Sequence, residues 1–403
     1  MKIAGAVNIE DLRQEAKRYL PAMLFDFIDG GAEDEQGIAR NRASFDAYRL
    51  LPRYLRDFSA ASQSVTLFGR QYASPFGIAP TGSAAVFRPD ADLLLARAAA
   101  RADVPFVMSG ASNGLIEACA QAASGRMWFQ LYMTRHRAHD EDILRRLRDA
   151  GVDTLVVTVD SEARSRRERD LRNRFSFGSF SFKPSVVCEA LRHPAWLYSY
   201  FSNGGMPTME NWVRYAPPGS GARDVMRYFH SGLPGMPRWE DVDRLRRLWP
   251  GRLVLKGILH PDDALRAAEL GVDGIIVSNH GGRQLDRAPA TIEVLPAIVA
   301  AAGDRLTVML DSGLRRGADM LVALALGARF TFVGRATLYG LAAGGQAGVE
   351  RAIAILRDEV DANQRQLGCV DLRDLGHENL WKDGRITAAS MPAVQPLRKE
   401  ERK

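Results

Sequence analysis

The stretch GIIVSNHGGR, residues 274–283, joins an apolar, β-branched run to a glycine-rich turn. A run of this kind is typical of a strand that is buried on both faces of a parallel sheet. In a parallel α/β barrel, the turn after such a strand lies at the face where chemistry is done. Histidine can accept a proton near neutral pH, and arginine can hold a carboxylate through paired hydrogen bonds. His280 and Arg283 therefore predict proton abstraction from a small acid.

Further apolar runs of strand length repeat this pattern along the chain. The candidate strands are 76–79, 105–108, 127–131, 154–159, 253–256, 274–277, 306–310 and 330–333. Segments of mixed Ala, Leu, Arg and Asp lie between them, and 90–102 and 261–270 are good examples of helical composition. Strands that alternate with helices in this way predict an α/β fold, a (β/α)8 TIM barrel.

The chain before the first strand predicts an N-terminal helical segment that reaches about Arg70. Asn8 is a cap-like residue, and apolar residues follow it at helical spacing. A second helix is predicted over about 23–28, where Gly30 and Gly31 end it.

The interval 160–252, after the fourth strand, is far longer than an ordinary loop between a strand and a helix. We expect a single TIM-barrel domain over 1–403, with an insertion over 176–238. The insertion is rich in aromatic side chains with cations among them. One interpretation is a mobile lid or an oligomer contact. The other is a monotopic membrane patch, where aromatic rings lie at headgroup level and cations meet anionic lipid.

The composition argues against several classes of protein. The chain has 403 residues, of which 46% are hydrophobic, and this is ample for a large core. Its three cysteines lie far apart without zinc-like spacing, so we predict no metal site and a reducing compartment. We see no signal pattern and no apolar run long enough to span a bilayer. A net charge of +6 over this length favours a solvated surface or attraction to anionic lipid over nucleic-acid binding.

Six arginines crowd the segment 164–174, with Glu168 and Asp170 among them and Glu162 just before. No aromatic platform or known reader motif surrounds this run, so a nucleic-acid patch is disfavoured. We predict that most of these arginines form a solvated face with ion pairs.

Polar residues stand at the end of every predicted strand. The neutral hydrogen-bonding residues, suited to an uncharged heteroaromatic edge, are Thr81, Ser109, Gln130, Thr158 and Ser278. The glycine-containing turns 311–313 and 334–335 follow strands seven and eight, which is the usual place for a phosphate in this fold. Lys256 is compatible with a Schiff-base lysine, an ion-pair partner or a cation beside an electron-rich cofactor ring, and the pattern favours the ion pair.

These motifs resemble the FMN-dependent L-2-hydroxy-acid dehydrogenases and oxidases over about residues 8–372. The matching motifs are GGAEDE (30–35), WFQLY (128–132), TVD (158–160), KGIL (256–259), SNHGGRQLD (278–286), DSG (311–313) and GR (334–335). Within the insertion, HPAW (193–196) and NGGMP (203–207) are similar to the branch of membrane-associated (S)-mandelate dehydrogenases. This similarity favours membrane association of the insertion.

The resemblance implies roles for the residues that touch the substrate. His280 is the catalytic base, and Asp160 stabilises the imidazolium that forms. Arg283 and Arg167 clamp the substrate carboxylate. Tyr132 hydrogen-bonds the substrate oxygen that becomes a carbonyl.

The resemblance also implies a set of FMN contacts. Lys256 lies near the N1 and O2 edge of the flavin and stabilises the reduced ring. The residues at the isoalloxazine are Pro80, Thr81, Gly82, Ser109, Gln130, Thr158 and Ser278. Asp311 takes the ribityl hydroxyls, and the phosphate group is held by Gly313, Arg315, Gly334 and Arg335.

Two positions depart from the pattern of much of the family. Phe27 stands where many members have a tyrosine that touches the substrate carboxylate, and Ala111 aligns where glycolate oxidase has a tryptophan. The first change removes a hydrogen bond worth about 1.5–3 kcal/mol to a charged group. The second leaves room for an aryl group. Gly82 is typical of the dehydrogenase branch, since oxidases often carry alanine there.

The expected function is oxidation of an (S)-2-hydroxy acid, with a mandelate-like aromatic acid favoured and a membrane quinone or similar acceptor. The expected protein is a homo-tetramer that lies in the cytoplasm, peripheral on the membrane. The alternatives are an L-lactate dehydrogenase or an oxygen-using oxidase of the same fold. More distant ones are an aldolase with Lys256 as its nucleophile and a basic binding protein without catalysis.

Overall fold

The structure is a computed structural model of the chain. It describes residues 3–161, 165–173, 184–233 and 237–387, of which 184–187 are described by their backbone alone. Predictions about Glu162, Arg164, Arg174, Lys183 and the aromatic residues over 175–182 lie outside the described residues.

Three α-helices precede the barrel: α1 (Ile9–Tyr19), α2 (Ala22–Asp29) and α3 (Gln36–Ala43). The side chain of Asn8 accepts a hydrogen bond from the backbone N–H of Asp11 at 2.8 Å, which confirms the predicted cap. The prediction of helical structure to about Arg70 is wrong. Three short strands follow α3: β1 (Arg49–Leu50), β2 (Val65–Leu67) and β3 (Arg70–Tyr72). Gly69 turns the β2–β3 hairpin with φ +81°, a conformation that favours glycine.

Parallel strands close into a barrel, which confirms the predicted (β/α)8 fold. The barrel strands are β4 (Phe76–Ile78), β5 (Phe106–Ser109), β6 (Met127–Leu131), β7 (Thr154–Thr158), β8 (Arg252–Ile258), β9 (Gly274–Val277), β10 (Thr307–Leu310) and β11 (Phe330–Val333). Neighbours in this order pair in parallel, and β11 pairs with β4 to close the ring. The register of β7 on β8 pairs Thr158 with Lys256, so their side chains emerge together at the carboxyl end.

The β2–β3 hairpin closes the opposite end of the barrel. Phe68, at its tip, lies against Trp128 with ring centroids 5.8 Å apart and against Gly274 at the start of β9. Leu67 and Tyr72 are buried with the barrel interior. The carboxyl end is therefore the face that remains for a ligand.

Helices surround the barrel. Those outside the long interval are α4 (Ala91–Ala102), α5 (Ile116–Ala122), α6 (Arg137–Asp149), α13 (Pro261–Glu269), α14 (Thr291–Ala302), α15 (Gly317–Ala325) and α16 (Arg335–Leu367). Those between β7 and β8 are α7 (Glu168–Arg172), α8 (Pro184–Leu191), α9 (Pro194–Ser202), α10 (Glu210–Val213), α11 (Ala222–Gly232) and α12 (Trp239–Leu248). Two final strands, β12 (Leu380–Lys382) and β13 (Arg385–Ile386), form a small sheet with β1.

The described part of the insertion packs over the carboxyl end of the barrel. The indole N–H of Trp196 in α9 donates to the carbonyl of Val86 at 3.0 Å. The indole N–H of Trp212 in α10 donates to the carbonyl of Gly110 at 2.8 Å. Both acceptors belong to loops that follow barrel strands, so the insertion is positioned against the site. Among the described helices, none is both long and apolar enough to cross a bilayer.

Candidate active site

The turn after β9 has a backbone that projects His280 from the end of the strand. His280, Gly281 and Gly282 have φ values of +56°, +68° and +74°, a left-handed run that favours glycine. A Cβ on Gly282 would lie 2.7 Å from the backbone nitrogen of Ile38. The glycines therefore allow the turn to pack directly against the N-terminal segment. His280 adopts a backbone conformation that is uncommon for a residue other than glycine.

His280 forms a pair with Asp160 at the end of β7. Nδ1 of His280 lies 2.9 Å from Oδ1 of Asp160. Burial alone would raise the pKa of Asp160, but the charges of His280 and Lys256 hold it below its ordinary value. Burial lowers the pKa of His280, and the charge of Asp160 offsets only part of that effect. A neutral imidazole that donates from Nδ1 to a carboxylate leaves Nε2 able to accept a proton.

Lys256 is buried and paired. Its ammonium group donates to Ser278 Oγ at 3.0 Å and lies 3.4 Å from Oδ2 of Asp311. Burial would lower the pKa of Lys256, but Asp311 and Asp160 raise it above its ordinary value. The amine therefore stays protonated, which supports the ion-pair prediction and disfavours a Schiff-base nucleophile.

Arg283 and Arg167 converge on Phe27. The guanidinium carbons lie 4.8 Å and 6.0 Å from the centre of its ring. Arg283 Nη1 donates to the carbonyls of Phe27 at 2.6 Å and Gly30 at 2.9 Å, close to the end of α2. Burial, together with the charges of Arg167 and Arg335, lowers the pKa of Arg283 well below its ordinary value. An anionic ligand would relieve this repulsion, so the pair suits a carboxylate.

A cavity of about 810 Å³ opens at the carboxyl end of the barrel. The predicted residues that line it are Phe27, Pro80, Thr81, Gly82, Ala111, Tyr132, Thr158, Arg167, Lys256, His280, Arg283, Asp311, Gly313, Arg315, Gly334 and Arg335. Four other predicted residues are not among those that line the cavity, namely Ser109, Gln130, Asp160 and Ser278. Burial raises the pKa of Tyr132, so its hydroxyl stays protonated and able to donate.

Unpaired polar atoms mark where a heteroaromatic ligand would fit. Thr81 Oγ1 and Gln130 Nε2 are buried and have no hydrogen-bond partner among the described residues. Gln130 Oε1 accepts a hydrogen bond from the hydroxyl of Ser109 at 3.0 Å, so only the amide nitrogen of this side chain lacks a partner among the described residues. Buried polar groups are normally paired, and a flat ring with carbonyl and ring-nitrogen edges would supply the partners. These residues fit an isoalloxazine.

The other end of the cavity fits a phosphate group. Gly313 and Gly334 line it, and α16, which is kinked at Gly344 and Gly345, begins directly after Gly334. A helix start presents backbone N–H groups that bind anions. The guanidinium of Arg335 is engaged with the carbonyls of Ile28, Gly281 and Gly30 at 2.8–3.0 Å. Its side chain therefore adds positive charge to this end and also fixes the N-terminal segment.

The insertion contributes cavity residues that sequence reasoning missed. Met209, Phe229 and Leu233 line the cavity, and the ring of Phe229 meets that of Tyr132 edge-on, with centroids 6.5 Å apart. The aromatic density of the insertion was the only signal, and it does not distinguish a pocket wall from a surface patch. Across the cavity, a Cβ on Gly82 would lie 2.8 Å from Cβ of Ala111.

Comparison with known proteins gives concordant results. The model of a family described as FMN-dependent dehydrogenase matches residues 16–382. (S)-mandelate dehydrogenase of Pseudomonas putida is 41% identical over 377 residues, which cover 94% of this chain and 94% of that protein. A putative L-lactate dehydrogenase of Mycobacterium tuberculosis is 39% identical over 394 residues, covering 97% of this chain and 93% of that protein. The crystal structure of the monotopic membrane protein (S)-mandelate dehydrogenase superposes with a TM-score of 0.90 at 40% identity, over 94% of this chain and 100% of that one.

Proposed function

The chain belongs to the family of FMN-dependent dehydrogenases that oxidise 2-hydroxy acids, and we propose that its substrate is an (S)-2-hydroxy acid with an aromatic side group. It is an oxidoreductase that acts on a CH–OH group, and its cofactor is FMN. The product of the proposed reaction is the corresponding 2-oxo acid.

The proposed mechanism assigns one task to each residue around the substrate. Arg283 and Arg167 bind the carboxylate, and Tyr132 donates to the oxygen that becomes the carbonyl. His280 Nε2 removes a proton from the substrate, and the resulting imidazolium is stabilised by Asp160, 2.9 Å from Nδ1. Bound FMN would supply the acceptor for the two electrons and the second proton that the substrate loses.

The proposed cofactor contacts follow the two ends of the cavity. Thr81 and Gln130 offer their unpaired atoms to the ring system, backed by Ser109, Thr158 and Ser278, with Pro80 and Gly82 alongside. Lys256 would place a permanent positive charge beside the ring. Asp311 would hold the ribityl hydroxyls, and Gly313, Arg315, Gly334 and Arg335 would hold the phosphate.

The observation that supports an aromatic substrate is the apolar wall of the cavity beside Arg283 and Arg167. Phe27, Met209 and Phe229 line the cavity, and Ala111 adds only a methyl group at the place where a larger side chain would fill the space. Burial of an aryl group there is favourable at about 25 cal/mol per Å² of apolar surface. A lactate methyl group would leave much of this wall uncovered.

The experiment that tests the substrate is anaerobic mixing of the purified holoenzyme with (S)-mandelate and, separately, with L-lactate, while the flavin absorbance is followed. Fast bleaching by mandelate and slow bleaching by lactate supports the aryl pocket. The opposite order would favour an L-lactate dehydrogenase, for which the 39% identity to a putative L-lactate dehydrogenase is the supporting observation. No bleaching by either acid would contradict both substrates.

We assign the reduced flavin a quinone or similar acceptor rather than oxygen. Gly82 supports this assignment, because glycine at this position is typical of the dehydrogenase branch of the family, whereas oxidases often carry alanine there. Oxygen consumption during turnover by the purified protein, with peroxide as product, would favour the oxidase instead.

We propose that the protein is a single domain over 1–403 and that its insertion makes peripheral contact with a membrane. Tyr198 and Phe201 of α9 are 78% and 66% exposed, and Leu191 at the end of α8 is also exposed. Aromatic rings of this kind are suited to the headgroup region of a bilayer. Met209 and Phe229, later in the insertion, line the cavity. The insertion therefore contributes both to the wall of the cavity and to the exposed aromatic surface. We also propose that the protein is a homo-tetramer that lies on the cytoplasmic face of the membrane.

A further inference from the structure

The segment 165–173, which carries Arg167, is bound to the rest of the molecule mainly by polar contacts. The hydroxyl of Ser165 donates to the carbonyl of Arg283 at 2.5 Å, and Arg167 Nε donates to Ser165 Oγ at 3.3 Å. The backbone N–H of Glu33 donates to the carbonyl of Arg166 at 2.7 Å. None of its described side chains is fully buried, so packing does little to fix its position.

Arg169 makes the most extensive of these contacts. Its guanidinium lies 3.5 Å from Oδ1 of Asp26 and 3.3 Å from Oδ2 of Asp29, both in α2, and it also donates to Glu35. One cation therefore joins the segment to two carboxylates of α2 and to Glu35 in the turn before α3. Ion pairs that share one ordered side chain in a network contribute more to stability than an isolated ion pair on the surface.

The partners of Arg169 are themselves fixed. Asp29 accepts from both Nε and Nη2 of Arg13 at 2.6 Å and 2.9 Å and from the hydroxyl of Tyr339 at 2.8 Å. Its side chain is only 9% exposed, and although burial opposes it, these donors lower the pKa of Asp29 to about 2. Asp29 thus remains a carboxylate throughout the physiological range and offers Arg169 a rigid acceptor.

The GGAEDE motif makes room for this contact. A Cβ on Gly30 would lie 2.6 Å from the carbonyl oxygen of Asp26 and 3.4 Å from Cδ of Arg169. The carboxylate of Glu35, which receives Arg169, also accepts from the backbone N–H of Gly31 at 3.0 Å. The motif therefore shapes a receptor for the side chain of Arg169.

We propose that Arg169 is a positioning residue that holds Arg167 at the substrate carboxylate by fastening its segment to Asp26, Asp29 and Glu35. This inference rests on the carboxylate-binding role proposed for Arg167. Arg169 itself does not line the cavity. Its effect on the reaction is transmitted through the backbone, two residues along, to the guanidinium that does.

Steady-state kinetics of the FMN-loaded full chain with (S)-mandelate tests this role. Arg169→Ala should raise KM by about tenfold while kcat stays within about twofold, because a displaced clamp weakens binding more than chemistry. Arg169→Lys should recover part of the loss, since a single ammonium keeps the charge but cannot reach all three carboxylates. Arg172→Ala is the matched control, because Arg172 pairs only with Glu168 on its own helix among the described residues.

A double-mutant cycle separates this role from a general loss of stability. If Arg169 acts through Arg167, Arg169→Ala should add less than about twofold to KM in the Arg167→Ala background. Equal effects in both backgrounds, or a KM that Arg169→Ala leaves unchanged, would overturn the proposal.

A second readout does not depend on the substrate. Limited trypsin digestion, with the fragments identified by mass, should show faster cleavage after Arg166 and Arg167 in Arg169→Ala than in the parent protein or in Arg172→Ala. Unchanged cleavage there would overturn the fastening role. If the parent protein oxidises neither (S)-mandelate nor L-lactate, the proposed substrate fails, and the digestion alone decides the role of Arg169.

Discussion

Nδ1 of His280 lies 2.9 Å from Oδ1 of Asp160, across the gap between the ends of β9 and β7. The amide of Gln284 donates to the backbone carbonyl of Asp160 at 2.7 Å and ties the two loops together. The second oxygen, Oδ2, is buried with no partner among the described residues. A carboxylate in this state is poised to interact with a positive charge that forms on the imidazole.

Removal of the imidazole should stop the chemistry without loss of the cofactor. We expect His280→Ala to keep bound flavin and to slow anaerobic flavin reduction by about 10³-fold, the usual contribution of a positioned general base. Stopped-flow absorbance measures the rate, and the visible spectrum of the same sample is the control for cofactor content. Reduction at the parent rate would remove His280 from the role of base.

The pH dependence of kcat/KM should report the pKa of His280. The base must be neutral to act, so kcat/KM should fall as the pH drops through that pKa, and burial places the acid limb below the ordinary pKa of a histidine. Asp160→Asn removes a charge that raises this pKa, so the limb should move to still lower pH, and the plateau should fall because the imidazolium loses its partner. A limb that moves to higher pH in Asp160→Asn would contradict this arrangement.

Most of the barrel could be predicted because its strands are continuous apolar runs of distinctive length. The runs 274–277 and 330–333 have the same bounds in the structure. The β2–β3 hairpin could not be predicted in this way. Leu67 and Tyr72 are buried only because the hairpin reaches the amino end of the barrel, and this long-range contact leaves no local periodicity.

The site was predictable where chemistry and strand ends coincide, and much less so where the insertion supplies the wall. His280, Lys256 and Asp160 follow apolar strands, so their convergence was expected from the barrel alone. Phe229 belongs to α11, and its ring packs on that of Trp212 in α10 with centroids 4.7 Å apart. Trp212 is in turn fixed by its hydrogen bond to the carbonyl of Gly110. Arg169 was grouped with a solvated arginine face, because a sequence does not show that three carboxylates of the distant N-terminal segment meet it.

A larger residue at position 111 should exclude aromatic acids. Ala111 lines the cavity next to Gly82, so Ala111→Trp should lower kcat/KM for (S)-mandelate by at least about a hundredfold and change that for L-lactate by less than about tenfold. The ratio of the two values is the measurement. A ratio that does not change would place the aryl group elsewhere in the cavity.

A hydroxyl restored on Phe27 should strengthen binding of the carboxylate. The ring lies 4.8 Å from the guanidinium carbon of Arg283, so Phe27→Tyr can place a donor next to the bound acid. A hydrogen bond to a charged group should lower KM by about tenfold or more, for L-lactate and (S)-mandelate alike. Phe27→Leu, which removes the ring and adds no hydroxyl, is the comparison. An unchanged KM in Phe27→Tyr would show that the added hydroxyl does not reach the carboxylate.

Membrane contact should depend on the exposed aromatic residues of α9. Deletion of the whole insertion is a poor test, because Met209 and Phe229 would be lost from the cavity. We expect Tyr198→Ser with Phe201→Ser to lower the partition coefficient of the protein onto anionic phospholipid vesicles, measured by co-sedimentation, by at least about a hundredfold, since burial of the two rings contributes about 1.5–3 kcal/mol each. The kcat for (S)-mandelate should stay unchanged. Tyr54→Ser is the matched control, because Tyr54 is similarly exposed, at 76%, but lies outside the insertion. Equal loss of sedimentation in Tyr54→Ser, or full sedimentation of the double variant, would place the lipid contact elsewhere.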